Sequence, residues 1–171
     1  EYRGSVWANP SSLSDNISPD GQDAQYPLPA MDDKGSAIIA WQQSDGSKRQ
    51  MFKSEYRGGA WTHPAGLSDN FTPDGQDVAT GVVADVDMTP TGDALIVWLQ
   101  SNGSHNQIFK SEYRAGAWTH PLSLSDNISP DGQASYRPRS AMGANGNASI
   151  VWYQFDGSKN RIQKSDYVWG F

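Results

Sequence analysis

Three copies of one polar decapeptide carry the most regularly spaced set of polar side chains in this 171-residue sequence. Leu13-Ser14-Asp15-Asn16-Ile17-Ser18-Pro19-Asp20-Gly21-Gln22 recurs unchanged at 124–133. At 67–76 it recurs with Phe71 for Ile17 and Thr72 for Ser18. Asp15, Asp20, Asp69, Asp74, Asp126 and Asp131 can accept hydrogen bonds from hydroxyls. Asn16, Gln22, Asn70, Gln76, Asn127 and Gln133 can both donate and accept. Gly21, Gly75 and Gly132 lie between them and complete the candidate set, although Pro-Asp-Gly is also turn chemistry. Trp41, Trp98 and Trp152 each close an apolar run, and an indole can stack on the apolar face of a hydroxylated ring. The same three rings would serve equally as core. Together the copies suit a neutral polyhydroxylated ligand held at equivalent sites, where simultaneous engagement raises avidity.

Other chemistries fit less well. With no cysteine there is no thiolate site. His63 and His120 precede proline but the first copy has Asn9, and the Asp/Asn spacing is not that of an EF-hand loop, so no metal and no cofactor is expected. Catalytic residues are generally unique, whereas these candidates come in threes, so no enzyme is expected. Arg137 and Arg139 are the exception, occurring only in the third copy. A net charge of −6 argues against a nucleic-acid groove. No apolar run approaches the ~20 residues of a membrane-spanning helix. Asn16, Asn70, Asn102, Asn127 and Asn147 each head an Asn-x-Ser/Thr sequon, so the loop could carry glycans instead of reading them. Glu1-Tyr2-Arg3 shows no leader pattern.

The elements that position these residues follow from the repeat. Trp7, Trp61 and Trp118 mark one register, and Trp41, Trp98 and Trp152 another; the spacings are 54 and 57 residues, then 57 and 54. Three extra residues therefore lie between Gln76 and Met88. The repeats are 1–54, 55–111 and 112–171, one repeat-built domain over 1–171. Ala37-Ile38-Ile39-Ala40-Trp41 and its copies are apolar enough for strands buried on both faces. Asp45-Gly46-Ser47, Asn102-Gly103-Ser104 and Asp156-Gly157-Ser158 supply turns, and alternating strands follow from Gln50 to Tyr56 and in the copies. Gly58-Gly59 and Ala115-Gly116 turn into a fourth strand. First strands are expected around 82–88, 29–31 and 140–142. Each unit is a four-stranded antiparallel meander of ~55 residues, the size of a propeller blade. A β-trefoil is the alternative, though its repeats are shorter and its lectins carry Gln-x-Trp, not Trp-x-Gln.

Ser54-x-x-x-Gly58-x-x-Trp61 resembles a degenerate Asp-box, the hairpin of sialidase-type propellers, with Tyr56 in place of its Asp and Ala115 in place of its Gly in the third copy. The whole chain is similar to small lectins whose partial-propeller chains assemble into six-bladed rings, and to small sponge lectins that bind N-acetylhexosamines. The resemblance implies a multivalent, haemagglutinating, secreted carbohydrate-binding protein. An N-acetylhexosamine is the expected sugar, because its acetamide would match the Asn and Gln pairs. A protein-interaction ring and a sialidase-like glycosidase are the alternatives. The expected assembly is a homodimer in which 6–13 of one chain supplies the outer strand of the other's last blade. Trp169 would belong to a broken fourth copy.

Overall fold

The computed structural model describes residues 2–3, 6–81 and 83–168. Its strands are β1 (Tyr2–Arg3), β2 (Val6–Trp7), β3 (Ala24–Met31), β4 (Ala37–Ser44), β5 (Arg49–Arg57), β6 (Ala60–Thr62), β7 (Ala84–Met88), β8 (Ala94–Ser101), β9 (Asn106–Arg114), β10 (Ala117–Thr119), β11 (Ser135–Met142), β12 (Ala148–Phe155) and β13 (Asn160–Tyr167). No helix occurs among the described residues. β3-β4-β5-β6 and β7-β8-β9-β10 are four-stranded sheets, β11-β12-β13 is three-stranded, and β1-β2 is a two-stranded hairpin. All neighbours are antiparallel and sequential, so the three larger sheets are successive blades of a β-propeller; separate meanders of this kind are not a trefoil.

Three expectations change. Val6–Trp7 is not a free outer strand, since it pairs with Tyr2–Arg3 in register Tyr2↔Trp7. The fourth strands are only three residues long. First strands begin earlier than expected in blades 1 and 3, because a bulge between Gln25 and Leu28, and another between Tyr136 and Arg139, lets the ladder resume on its far side. Trp169 lies outside the described residues.

Blades are held by burying the second strand on both faces. One core joins Ile38 and Met51 of blade 1 to Phe71, Ile96 and Trp98 of blade 2; a second joins Leu95, Leu99 and Ile108 of blade 2 to Ile150 and Trp152 of blade 3. β8, in the middle, is buried through seven of its eight residues, whereas β12 alternates because the far flank of blade 3 is open. That sharing of apolar surface between neighbours explains how a chain with only 36% hydrophobic residues forms a core. The innermost strands meet side by side: Asp85 and Asp87 of β7 accept the Ser140 and Met142 backbone N–H groups of β11 at 2.9 and 2.6 Å. A carboxylate thus replaces a missing ladder acceptor.

At the opposite hairpin, Gly58 and Gly59 adopt φ of 60° and 89°, and Ala115 and Gly116 follow them at 51° and 85°. Ala115 therefore accepts a left-handed conformation, which costs ~1–2 kcal/mol, to keep the turn. Glu55 pairs with Lys53 and Arg57 inside its own strand. Contact with the next blade comes from Trp118 Nε1, which donates to Glu55 at 2.7 Å, and from Arg57, which reaches Gly92 O and covers the Tyr113 ring. The ion pairs of Glu55 thus lie within one blade, which reaches its neighbour by other contacts.

Candidate functional site

The decapeptide loops and the β4–β5, β8–β9 and β12–β13 turns share one face, as Lys48–Asp77 at 3.7 Å and Asn102–Asp131 at 3.4 Å show. Each turn is closed by its own first residue: Asp45 Oδ1 accepts the Ser47 and Lys48 N–H groups, and Asn102 and Asp156 do the same.

Within the strands, Trp-x-Gln turns out to be a clamp. Trp41 and Trp98 donate their indole N–H to Gln43 and Gln100 Oε1 at 3.0 Å, and Trp152 donates to Gln154 at 3.4 Å. Each glutamine then donates to two loop carbonyls: Gln43 to Pro19 and Gln22, Gln100 to Pro73 and Gln76, Gln154 to Pro130 and Gln133. The tryptophans are 3%, 0% and 4% exposed, and Phe52 and Phe109 stack on the first two. These indoles are core, although Trp41 also borders an open slot of about 410 Å³ on the flank of blade 1 together with Asp15 and Asn16.

Part of the loop is likewise structural. Asp15 accepts Ser11 N at 2.6 Å and its hydroxyl at 2.5 Å, Asp69 accepts Ala65 N, and Asp126 accepts Leu122 N and Ser123 N. The Ser11 hydroxyl, followed by its backbone N–H, holds Asp15 below the usual carboxylate range; the Leu122 and Ser123 N–H groups do so for Asp126. Asn70 Oδ1 accepts Thr72 N at 3.3 Å, Asn16 accepts the Ser18 hydroxyl, and Asn127 Nδ2 donates to Ser129 O. Thr72 and Ser129 donate to Gln50 and Gln107 of the preceding blade. The loop copies match because they fasten blade to blade. Asp20, Gly21, Gln22, Asp74, Gly75, Asp131, Gly132 and Gln133 are exposed on the shared face, and Gln76 is half-buried.

Two openings on this face lie where the copies differ. In blade 3 a cavity of about 330 Å³ is lined by His105, Gln133, Tyr136, Tyr153, Phe155 and Asn160. Tyr136 and Tyr153 stack at 5.1 Å and 21°. In blade 1 the corresponding cavity, about 560 Å³, is polar and lined by Gln22, Gln25, Gln42, Ser44 and Arg49. In blade 2 the extra residues fill the place: Ala79 N donates to Leu99 O and Leu99 N to Val83 O, and Leu99 is 3% exposed. Beside both open cavities a non-glycine residue is left-handed immediately before proline, Tyr26 at φ 56° and Arg137 at φ 52°. Such strain persists only where the surrounding structure imposes it. Arg139, of the unique arginine pair, donates to Ala84 O at 3.4 Å in the neighbouring inner strand. Gln25, Gln42, Arg49, Tyr136, Tyr153 and Phe155 were not singled out in the sequence; divergence between copies at these positions was the available signal. His63 and His120 bond Ser54 and Ser111. No cluster able to hold a metal ion occurs among the described residues.

Neither a family model nor a curated protein matches the sequence. Among solved structures, an endo-arabinase from Bacteroides thetaiotaomicron superposes with a TM-score of 0.52 at 10% identity over 92% of this chain, which spans 61% of that protein's length. A fucose lectin from Kordia zhangzhouensis, in complex with methyl-fucoside, superposes with a TM-score of 0.40 at 14% identity, covering 79% of this chain and 96% of that one. At such identities likeness is one of fold, and only the first supports even that.

Proposed function

We propose that this chain is a non-catalytic carbohydrate-binding protein of lectin type, with an N-acetylhexosamine as its preferred sugar. The observation that carries the reading is the blade 3 cavity. Tyr136, Tyr153 and Phe155 bring aromatic surface beside the amides of Gln133 and Asn160 and the imidazole of His105. Rings stack on the apolar face of a pyranose, and amides pair with hydroxyls and with an acetamide. The divergence of the copies favours unlike sites over three equivalent ones. A glycan array followed by titration of methyl glycosides tests this. Saturable binding weakened by Tyr153→Ala supports it, and no binding to any glycan at millimolar concentration rejects it.

We also propose that two chains close into a six-bladed homodimer through their open flanks. Inside the chain, Phe71 N donates to Met51 O at 3.1 Å and Ile128 N to Ile108 O at 2.8 Å, seating each loop on the preceding blade. Ile17 and Ile162 hold the corresponding positions on the two outer flanks. Ile162 is 78% exposed, and Ile17 lines an open slot of about 410 Å³ with Pro10, Pro27, Ile39 and Trp41. A second copy would fill that slot with its Ile162 strand.

A further inference from the structure

The glutamine at the head of the blade 1 cavity is not required by the fold. Gln42 stands where blade 2 has Leu99 and blade 3 has Tyr153, and Leu99 packs there almost fully buried. Gln42 is itself 2% exposed. Its Nε2 donates to Gly81 O at 2.9 Å, and because a carbonyl can only accept, this contact fixes which end of the amide is which. The other end, Oε1, is buried without a hydrogen-bond partner. Leaving such an acceptor unmet costs ~1–3 kcal/mol, a cost that leucine at the same place avoids.

The walls of the cavity match that acceptor. Gln22, Gln25 and Ser44 present amide and hydroxyl groups, no aromatic ring lines it, and the opposite charges of Asp23 and Arg49 leave no net sign. Arg49 is anchored by Nη1 to Val78 O at 3.2 Å and by its backbone N–H to Asp77 at 2.8 Å, which fixes the wall on which it lies. The strained Tyr26 adjoins Gln25. At about 560 Å³ the space is within the range of small-molecule sites.

We propose that this cavity is a second ligand site, unlike the aromatic one, and that it takes a vicinal diol of a neutral polyhydroxylated molecule. One hydroxyl donates to Gln42 Oε1, which the side chains covering it must first uncover, while its neighbour bonds the amide and guanidinium wall. The site rests on the reading of this face as a binder of hydroxylated ligands, yet it needs no ring stacking. A cyclic sugar and an open-chain polyol both present that diol, so both serve as probes.

The test uses the full chain, amide NMR, and titration with a methyl glycoside of N-acetylglucosamine and separately with sorbitol. Either probe should shift the Gly21, Gln42 and Gln43 amides saturably, also in Tyr153→Ala, which disables only the aromatic cavity. Which probe does so identifies the source of the diol. Gln42→Leu, which gives blade 1 the side chain that blade 2 carries at Leu99, should weaken these shifts at least about tenfold. The variant relieves the unmet acceptor but also loses the bond to Gly81 O, so retained circular dichroism and an unchanged response of the blade 3 amides keep the test independent of misfolding. Absence of blade 1 shifts with both probes, or shifts of unchanged affinity in Gln42→Leu, would each overturn the proposal. Shifts confined to the Tyr136, Tyr153 and Phe155 amides would retain the aromatic site and reject this one; shifts confined to blade 1 would do the reverse.

Discussion

The indole N–H of Trp98 lies 3.0 Å from Oε1 of Gln100, two residues along the same strand, while Nε2 of that amide bridges Pro73 O and Gln76 O at 2.8 and 2.9 Å. Residues i and i+2 share a strand face, so one side chain both satisfies a buried indole and folds the loop crossing the end of the strand. Gln100→Leu should orphan one buried N–H and release two carbonyls, lowering stability by roughly 2–4 kcal/mol. Urea denaturation checks this, and a loss under about 1 kcal/mol would contradict the clamp.

His120 gives the fold a pH dependence of definite sign. Its ring stacks between Trp118 and Phe71. Burial, then Lys53, lowers its pKa from 6.5 to about 4, with Glu55 opposing. Between those values the unfolded chain binds the proton and the folded chain does not, so stability falls as the pH drops from about 6.5 to about 4. The first repeat has Asn9 at this position. His120→Asn should therefore flatten the melting temperature over that window relative to the parent; parallel curves would refute the assignment.

The open flanks predict a reversible dimer. Arg161 and Gln163 stand on β13 where blade 1 has Gln50 and Phe52, so a seam between two chains would be a looser copy of the internal ones. Light scattering should show a dimer that dissociates on dilution, and Ile162→Asp should give monomer at every concentration with its circular dichroism retained. A parent chain that stays monomeric at high concentration would dismiss the ring.

Strands and blade order were legible in the sequence because each repeat restates the same apolar runs and turn residues at a fixed period. Ala37–Ser44 and Ala94–Ser101 are buried on both faces as their composition implies. The bulges at Tyr26 and Arg137 were not legible, since nothing local marks a left-handed residue before proline. The loops misled for a physical reason. Asp69, Asn70 and Thr72 are fixed by turn closure and by Gln50 of the preceding blade, so their repetition measures packing. Trp-x-Gln could have been recognised from its i, i+2 spacing. The cavities lie where the copies diverge, at Gln25 and Tyr136 and at Gln42 and Tyr153, whereas blade 2 fills the same place with Ala79 and Leu99.

The proposed function stands or falls on sugar binding in the aromatic cavity of blade 3. Calorimetric titration with a polyvalent N-acetylglucosamine conjugate, on the parent chain and on Tyr153→Ala, measures it most directly. Saturable binding by the parent and at least about tenfold weaker binding by the variant, at an unchanged melting temperature, are the expected results. Equal binding by the two proteins, or none by the parent, would contradict it.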